Sequence, residues 1–321
     1  MTGRWAPSSR RASRVGRPPT ARIRSGPAGS AARRSLSVEG VLAEPGRAVG
    51  WDRDAVSARP REHEGMTRTF EELVAEASEA SVDGWGFSWL DGRASEERPS
   101  WGYQRLLGER LATASAGLDI QTGGGEVLGG VPVLPPTMAA TESWPPNVAR
   151  ATARLHPRGV VVVADPDEPP LPFGDAAFDL VTSRHPATVW WAEIARVLRP
   201  GGAYFAQHVG PASVWELVEW FLGPQPEAAR HRHPDDEAAG ARAAGLDVVD
   251  VRSERLRMEF HDIGAVVWFL RKVIWIVPGF TVEDRLPRLR ELDARIRAEG
   301  PFVAHSARTL IEARKPSAPA A

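Results

Sequence analysis

Cysteine is absent from the 321 residues, which excludes disulfide scaffolds, iron–sulfur clusters, zinc ribbons and thiol nucleophiles. The chain also lacks any run of about 18 uninterrupted apolar residues, so the sequence predicts no transmembrane helix. Its most apolar segment, 263–277, is interrupted by Arg271 and Lys272. With 42% hydrophobic residues for a core, the composition is typical of a cytoplasmic globular protein.

The first 65 residues contain no lysine, and their net charge is opposite in sign to that of the rest. Their 13 arginines and six acidic residues give a net charge of +7, whereas residues 66–321 have a net charge of −8. Because the larger part is acidic and shows no basic stripe, a surface specialised for nucleic acid is not expected.

Residues 1–65 also lack the apolar periodicity of a folded domain. They are rich in Arg, Pro, Ser, Gly and Ala, a composition that predicts disorder. A basic tail that binds nucleic acid or acidic lipid is one alternative. A targeting segment is another, although no apolar stretch follows the charges. We expect instead that the true start is Met66, after which Thr67 or Thr69 can cap a helix with an acidic first turn.

From about residue 100, predicted helices alternate with short apolar strands. The helices are a segment capped by Ser100, one opened by Pro145 and one closed by RPGG at 199–202. Val-rich strands between such helices indicate a parallel sheet covered on both faces. Two alternating segments, 246–260 and 302–315, can pair antiparallel at the sheet edge. The sequence therefore predicts a doubly wound α/β fold.

The first strand of this sheet ends in an acid followed by a glycine-rich turn. LDIQTGGGE places Asp119 before Gly123, Gly124 and Gly125. Glycines at such a turn let the backbone approach a ligand closely, and the backbone amides can then face it. A dinucleotide fingerprint is not formed, because Leu128 stands where G-x-G-x-x-G needs its third glycine. A turn that only links a strand to a helix is the alternative.

Acidic and polar residues also end the following strands. Glu142 ends the second strand, where a carboxylate can accept hydrogen bonds from a ribose diol. The polar residues at the ends of the third and fourth strands are Asp165, Asp167, Ser183, Arg184 and His185.

With these residues in place, the chain resembles the class I S-adenosylmethionine-dependent methyltransferases. The resemblance rests on LDIQTGGGE, ATE, LPFGDAAFDLV and EIARVLRPGG, and it covers 101–210 by motif and 66–316 by topology. It implies a Rossmann-like methyltransferase fold whose mostly parallel, seven-stranded sheet has an antiparallel edge strand and helical cover. It implies a leader (1–65), a methyltransferase domain (66–316) and a tail (317–321). Within the domain, the implied parts are an N-terminal helical cover (66–116), a cofactor-binding core (117–210) and a C-terminal part with substrate-cover helices and the last two strands (211–316).

The resemblance implies S-adenosylmethionine as the cofactor and assigns roles to single residues. Asp119 would lie under the methionine part of the cofactor with Gly123 and Gly125. Glu142 would hold the ribose hydroxyls. Asp165 or Asp167 would reach the adenine amino group, and the sequence does not separate the two. The remaining predicted cofactor-binding residues are Gln121, Gly124 and Ser183.

Gln121 departs from the family pattern, which has a glycine at this position. We expect an altered turn around the carboxypropyl group of the cofactor. Because Gly123 and Gly125 remain, and Gly124 adds conformational freedom, we expect cofactor binding to be retained.

The acceptor side of the site is less defined by sequence. Methyl transfer requires mainly alignment and exclusion of water, and a hydroxyl acceptor also needs a general base. His185 is the first candidate base and His208 the second; the alternative is that each only hydrogen-bonds backbone near a loop. Arg184, Trp190 and Trp191 are predicted to line the acceptor site.

Twelve tryptophans are present, and two groups of them flank the predicted sheet core. Those within 85–101 and 268–275 are predicted to cover an apolar acceptor, or alternatively to pack in the core. An amphipathic membrane-surface helix over 263–277 is a weaker alternative, because it has only two basic residues.

The sequence thus predicts a cytoplasmic methyltransferase that acts on a small molecule, without metal, membrane or nucleic acid, and of undetermined oligomeric state. His231 and His233 do not indicate a metal site, because no further ligands follow at a set spacing. An RNA or protein methyltransferase and a non-catalytic S-adenosylmethionine-binding protein stay open as alternatives, since fold resemblance does not name a substrate.

Overall fold

The computed structural model describes residues 68–84 and 86–317. The predictions for the leader 1–65, for a start at Met66, for Trp85 and for most of the tail lie outside the described residues.

The helices of the described residues are α1 (Phe70–Glu79), α2 (Tyr103–Leu111), α3 (Glu126–Gly129), α4 (Pro145–Leu155), α5 (Trp191–Val197), α6 (Trp215–Leu222), α7 (Pro234–Ala243), α8 (Ile263–Lys272) and α9 (Val282–Glu299). Thr69 caps α1, and its hydroxyl and backbone N–H exchange hydrogen bonds with Glu72, which is the reciprocal arrangement of a capping box. Pro145 opens α4 as predicted. In the described part of the chain, no helix combines the length and apolar character needed to cross a membrane.

The predicted cap of α2 is wrong. Its N-cap is Gly102, which has left-handed backbone and no side chain to donate or accept. Ser100 instead donates its backbone N–H to Glu254 Oε2 over 2.9 Å. The local sequence pattern of a cap was therefore outweighed by a contact with a residue far along the chain.

The strands of the described residues are β1 (Ala94–Glu96), β2 (Ala116–Ile120), β3 (Thr137–Glu142), β4 (Val160–Ala164), β5 (Phe178–Arg184), β6 (Leu198–Val209), β7 (Asp247–Phe260) and β8 (Phe302–Arg314). They form one sheet in the order β1-β7-β8-β6-β5-β2-β3-β4. The run from β6 to β4 is parallel, while β8 is antiparallel to both β6 and β7. The doubly wound fold and the antiparallel C-terminal strand pair are confirmed.

Two details of the predicted sheet need correction. The sheet in the described residues has eight strands, not seven, because the three-residue β1 pairs antiparallel with the far end of the long β7. Such a short segment has no readable period, and its pairing partner is distant in sequence. The segment 199–202 does not close α5 as a loop: β6 starts at Leu198, and the β5–β6 pairing shifts register between Phe178 and Leu180.

The order of the strands places a crevice beside β2. The chain runs from β2 outward to β3 and β4, then crosses back so that β5 pairs with the other side of β2. All five residues of β2 are buried, as expected for a central strand with both faces covered. Ligands of such sheets bind at the carboxyl ends of the strands, where the connections diverge in this way. The loops after β2, β3, β4 and β5 all begin at that edge.

Candidate functional site

The loop after β2 has left-handed backbone at alternate positions. Gln121, Gly123 and Gly125 have φ angles of 56°, 65° and 75°. A Cβ at Gly125 would lie 2.8 Å from a buried leucine of α4, so both conformation and packing call for glycine there. Gly124, between the two glycines, accepts a hydrogen bond from Arg154 through its carbonyl. The predicted turn is present and packs directly on α4.

Glu142, the last residue of β3, connects its strand to this loop. Its Oε2 accepts the N–H of Gly123 over 2.8 Å, and its Oε1 accepts the N–H groups of Ser143 and Trp144. Burial raises the pKa of Glu142, and these N–H groups act in the opposite direction. Because each carboxylate oxygen can accept about two hydrogen bonds, Oε2 keeps the capacity for one more donor.

Asp119, near the end of β2, is buried beside β5. It lies opposite Thr182 in the sheet register, and the Thr182 hydroxyl donates to its Oδ1 over 2.7 Å. Burial raises the pKa of Asp119 to about 6. A carboxylate held in this environment is stabilised by any cationic group placed over it.

Asp165 and Asp167, after β4, differ in what their carboxylates do. Asp165 Oδ1 accepts the backbone N–H of Asp167 over 2.9 Å and so holds the turn in which Asp167 has a φ of 59°. Asp167 is buried, and its Oδ2 accepts no hydrogen bond. Burial raises the pKa of Asp167 to about 7. Asp165 therefore shapes the loop, whereas Asp167 presents an unpaired acceptor.

Residues 118–206, which contain this whole arrangement, match the family model of a methyltransferase domain. This part of the chain is therefore similar to a methyltransferase domain. The match spans β2 to β6, from the strand that bears Asp119 to the one that bears His208, and it leaves the acceptor undefined.

Solved structures similar to this chain share little sequence with it. YcgJ of Bacillus subtilis is 19% identical, covers 67% of this chain and 99% of its own, and has a TM-score of 0.48. A candidate methyltransferase of Bacillus halodurans C-125 is 18% identical, with the same coverages and TM-score. A phosphoethanolamine N-methyltransferase of Haemonchus contortus, solved with S-adenosylmethionine, is 17% identical, covers 68% of this chain and 53% of its own, and has a TM-score of 0.39. No curated protein matches the chain by sequence.

Gln121 connects three loops of the crevice. Its side-chain nitrogen donates to Asp167 Oδ1 over 2.7 Å and to the carbonyl of Thr188 over 2.9 Å. Its side-chain oxygen accepts the N–H of Ala187 over 2.6 Å. The residue that departs from the family pattern is thus fully hydrogen-bonded across the crevice.

The end of β5 contributes polar groups from both faces of the strand. The Ser183 hydroxyl donates to the carbonyl of Ile120 over 2.8 Å, so it fastens β5 to β2 and is itself buried. The Tyr103 hydroxyl of α2 donates to the Ser183 carbonyl over 3.0 Å. Arg184 ends β5, and its charge acts on the neighbouring His185.

His185 is buried in a hydrogen-bonded relay that fixes its tautomer. The Trp101 indole N–H donates to Gln207 Oε1 over 2.8 Å, so the Gln207 nitrogen faces His185 Nε2 at 2.9 Å. An amide nitrogen can only donate, which makes Nε2 the acceptor and leaves the proton on Nδ1. Burial, followed by the charges of Arg184 and Arg308, holds the pKa of His185 well below its usual range. The ring is therefore neutral and has no free basic nitrogen.

His208 lies on the opposite face of β6, toward α7. Its Nε2 lies 3.0 Å from the Tyr204 hydroxyl and its Nδ1 lies 3.4 Å from Glu237 Oε2. Burial acts to raise the pKa of Glu237, but the neighbouring His208 and Arg232 side chains outweigh it and keep this pKa below its usual range. Nδ1 of His208 is nevertheless buried without a hydrogen-bond partner. The assignment of a catalytic base stays a prediction.

The two adjacent tryptophans predicted to line the acceptor site point to different places. The Trp190 indole N–H donates to the Asp167 carbonyl over 3.1 Å, which places it at the crevice. Trp191 instead packs edge-on against Tyr204, with ring centroids 5.3 Å apart, and a Cβ at Gly240 of α7 would lie 2.6 Å from its ring. The predicted aromatic cover is in part a packed layer, because Trp89 and Trp268 stack on each other with 5.5 Å between ring centroids.

Sequence reasoning missed several residues that organise the site. Gln207 and Trp101 orient His185, Thr182 donates to Asp119, and Arg232 donates to the carbonyls of Pro186 and Ala187. The signal for Gln207 was available, because strand alternation places it on the face opposite to that of its neighbour His208. No comparable signal marks Arg232. The described residues contain no cluster of three or more potential metal ligands of the His, Cys, Asp and Glu types.

Proposed function

We propose that this methyltransferase domain binds S-adenosylmethionine at the crevice beside β2 and transfers its methyl group to a small-molecule acceptor. The observation that carries the proposal is Asp167 Oδ2, a buried acceptor without a partner, at the same sheet edge as Glu142 and the Gly123–Gly125 turn. Buried carboxylate oxygens are rarely left without a donor, and an exocyclic amino group of adenine is a suitable one.

The residues present fit this cofactor by their chemistry. Asp167 would accept from the adenine amino group through its unpaired Oδ2, and Asp165, whose Oδ1 accepts the Asp167 N–H, would shape the loop. Glu142 would accept from the ribose hydroxyls through Oε2 while it fixes Gly123. Asp119 would face the cationic methionine part, which relieves the unfavourable burial of its charge.

When bound, the cofactor supplies an activated methyl group on a sulfonium centre. The chain's own residues then have to orient the two reactants and exclude water. His185 Nε2 is occupied by Gln207 and His208 Nε2 by the Tyr204 hydroxyl, while His208 Nδ1 faces Glu237 on the α7 side of β6. This favours an acceptor atom that is already unprotonated, such as a neutral amine, over one that needs a protein base.

A calorimetric titration tests the cofactor assignment. The full chain is titrated with S-adenosylmethionine, with S-adenosylhomocysteine and with NADH. Micromolar binding of the first two and none of NADH supports the proposal. If neither sulfur compound binds, the proposal is wrong and the domain has another ligand.

The variant Asp119→Asn makes the titration specific to the site. It removes the charge while the amide oxygen can still accept from Thr182. We expect the affinity for S-adenosylmethionine to fall by about tenfold or more, the equivalent of about 1.4 kcal/mol. Glu168→Gln is the matched control, because it removes a negative charge from an exposed neighbour of Asp167, and it should bind as the unmodified chain does. Equal losses in both variants would mean that only general charge matters.

A further inference from the structure

Gln121 combines a strained backbone with a fully used side chain. Its φ of 56° lies in the left-handed region, which is unfavourable for a residue with a long side chain. The side-chain amide has two N–H donors and one carbonyl, and every one of these groups has a partner. The buried bonds therefore keep the residue in a conformation that its backbone alone disfavours.

The three partners of Gln121 belong to the walls of the crevice. Asp167 lies in the loop after β4, and Ala187 and Thr188 lie in the loop after β5, while Gln121 itself starts the loop after β2. These are the loops that diverge at the point where the strand order reverses, where ligands of doubly wound sheets bind. One side chain thus crosses the crevice and joins its opposite sides.

The loop after β5, which forms one wall of the crevice, is also bound on its far side. Arg232 is half-buried and donates to the carbonyls of Pro186 and Ala187, and Glu237 lies close enough for its charge to act on that guanidinium. The loop after β5 is therefore fixed on its far side by Arg232 and on its crevice side by Gln121. Of these two contacts, only the one made by Gln121 also reaches the loop after β4, on the other side of the crevice.

We propose that Gln121 is a latch that closes the crevice, and that S-adenosylmethionine binds only after the Gln121 side chain leaves Asp167, Ala187 and Thr188. This inference rests on the proposed function for the identity of the ligand. Opening breaks three hydrogen bonds within the protein, so part of the binding free energy is used to open the latch. The latch slows association of the cofactor and weakens its apparent affinity. It also releases Asp167 Oδ1 as a second acceptor beside Oδ2.

Three variants separate the latch from general effects on the backbone. Gln121→Gly removes the side chain and relieves the left-handed strain. Gln121→Asn keeps an amide that tolerates this backbone region but is one methylene too short to span the same gap. Ala176→Gly is the matched control, because Ala176 has a φ of 50° in the turn between β4 and β5, and its backbone N–H donates to the carbonyl of Arg196 rather than to Gln121.

The first measurement is amide hydrogen exchange without ligand, read at the Ala187 N–H. In the unmodified chain this N–H donates a hydrogen bond to the side-chain oxygen of Gln121, so it should exchange slowly. We expect it to exchange at least tenfold faster in Gln121→Gly and Gln121→Asn, with no change at Val181 of β5, and no change at Ala187 in Ala176→Gly. Unchanged exchange at Ala187 in both Gln121 variants would overturn the latch, whether or not the protein binds S-adenosylmethionine.

The second measurement is the association rate and affinity for S-adenosylmethionine, by stopped-flow fluorescence and calorimetry. We expect both Gln121 variants to bind about tenfold tighter or more, mainly through faster association, and Ala176→Gly to bind like the unmodified chain. Equal or weaker binding by the Gln121 variants would overturn the latch, because the side chain would then be neutral or part of the binding site. Failure of all four proteins to bind would instead refute the proposed function, and the exchange data would still decide whether Gln121 closes the crevice.

Discussion

At the scale of single residues, the polar groups of the site differ in whether their hydrogen-bonding atoms are already occupied. Asp165 and Asp167 are both buried acids two positions apart, yet one carboxylate holds a backbone N–H and the other keeps an unpaired oxygen. His185 and Gln207 show the same principle, since one donor-only group, the Trp101 indole, determines the orientation of both. The residue types were visible in the sequence, but the atoms available to a ligand were not.

The tautomer of His185 gives a prediction at this scale. We expect its Nδ1 to carry the proton and Nε2 to be unprotonated, and the ring to stay neutral at the ordinary histidine pKa of about 6.5, because burial lowers its pKa. Imidazole nitrogen chemical shifts measure this directly. In Trp101→Phe the Gln207 amide is free to reverse, so the single tautomer should be lost and the free energy of unfolding should fall by about 1 kcal/mol.

Trp220→Phe is the control for that variant. It also removes an indole N–H that donates to a carbonyl, that of Arg288, but it should leave the His185 spectrum unchanged. A doubly protonated His185 in the unmodified chain would contradict this hydrogen-bond arrangement. An Nε2–H form would also contradict it and would leave Nδ1 as a free base.

At the scale of secondary-structure elements, the site depends on how closely the glycine turn packs on the helix behind it. This contact joins the loop after β2 to α4, and Glu142 ties the same turn to β3. The acidic residues at the strand ends are therefore positioned by one compact unit of turn, strand and helix. A change in the turn should affect stability as well as ligand binding.

Two glycines allow the packing effect to be separated from the backbone effect. Gly125 and Gly159 have φ angles of 75° and 82°, so alanine at either position is strained by about 1 kcal/mol. A Cβ at Gly125 would lie 2.8 Å from Leu155 Cδ1, whereas one at Gly159 has nothing within 4 Å. We expect Gly125→Ala to lower the free energy of unfolding by a further 1–3 kcal/mol or so, typical of overpacking.

Urea denaturation of the two variants measures this difference. Gly159→Ala serves as the control for the left-handed backbone. Equal losses of stability in both variants would show that Leu155 can move aside and that the turn is not packed as described.

At the scale of the whole molecule, burying acids at the sheet edge makes folding depend on pH. The pKa of Asp119 is raised to about 6 and that of Asp167 to about 7, against 3.8 for an ordinary aspartate. The folded chain therefore retains protons that the unfolded chain has lost. As the pH rises from about 4 through these values, the unfolded state is favoured progressively, and the full cost is reached above the folded pKa. The site lowers the stability of the protein near neutral pH.

Asp119→Asn tests this linkage. We expect the variant to gain stability relative to the unmodified chain as the pH rises from 4 to 6, by about 2–3 kcal/mol at 1.36 kcal/mol per pKa unit, and to keep that difference above pH 6. Thermal unfolding over this pH range measures it. The gain in stability should accompany the loss of affinity for S-adenosylmethionine, as expected when a functional site is built at the expense of stability.

Asp179→Asn should behave in the opposite way. Burial acts to raise the pKa of Asp179, but hydrogen bonds from Ser115 and Ala116 outweigh it, and the pKa lies below its usual value. This acid therefore stabilises the fold above the unfolded pKa, and that contribution is lost as the pH falls. A variant of Asp119 with the same pH profile as Asp179→Asn would mean that the Asp119 carboxylate is not buried as described.

The amino-acid sequence by itself determined the doubly wound order of strands and helices, the glycine turn after β2 and the acids at the ends of the strands. These features follow from local patterns: apolar periodicity, caps such as Thr69, and glycine where the backbone is left-handed. The tertiary structure decided the partners of those residues. Gln121 contacts Asp167, which lies 46 positions later in the chain, and Asp119 contacts Thr182, which lies 63 positions later. The residues of β1 pair with residues of β7 more than 160 positions later. Such contacts form only when folding brings segments that are distant in sequence together in one sheet. The local sequence pattern around each residue therefore does not predict them.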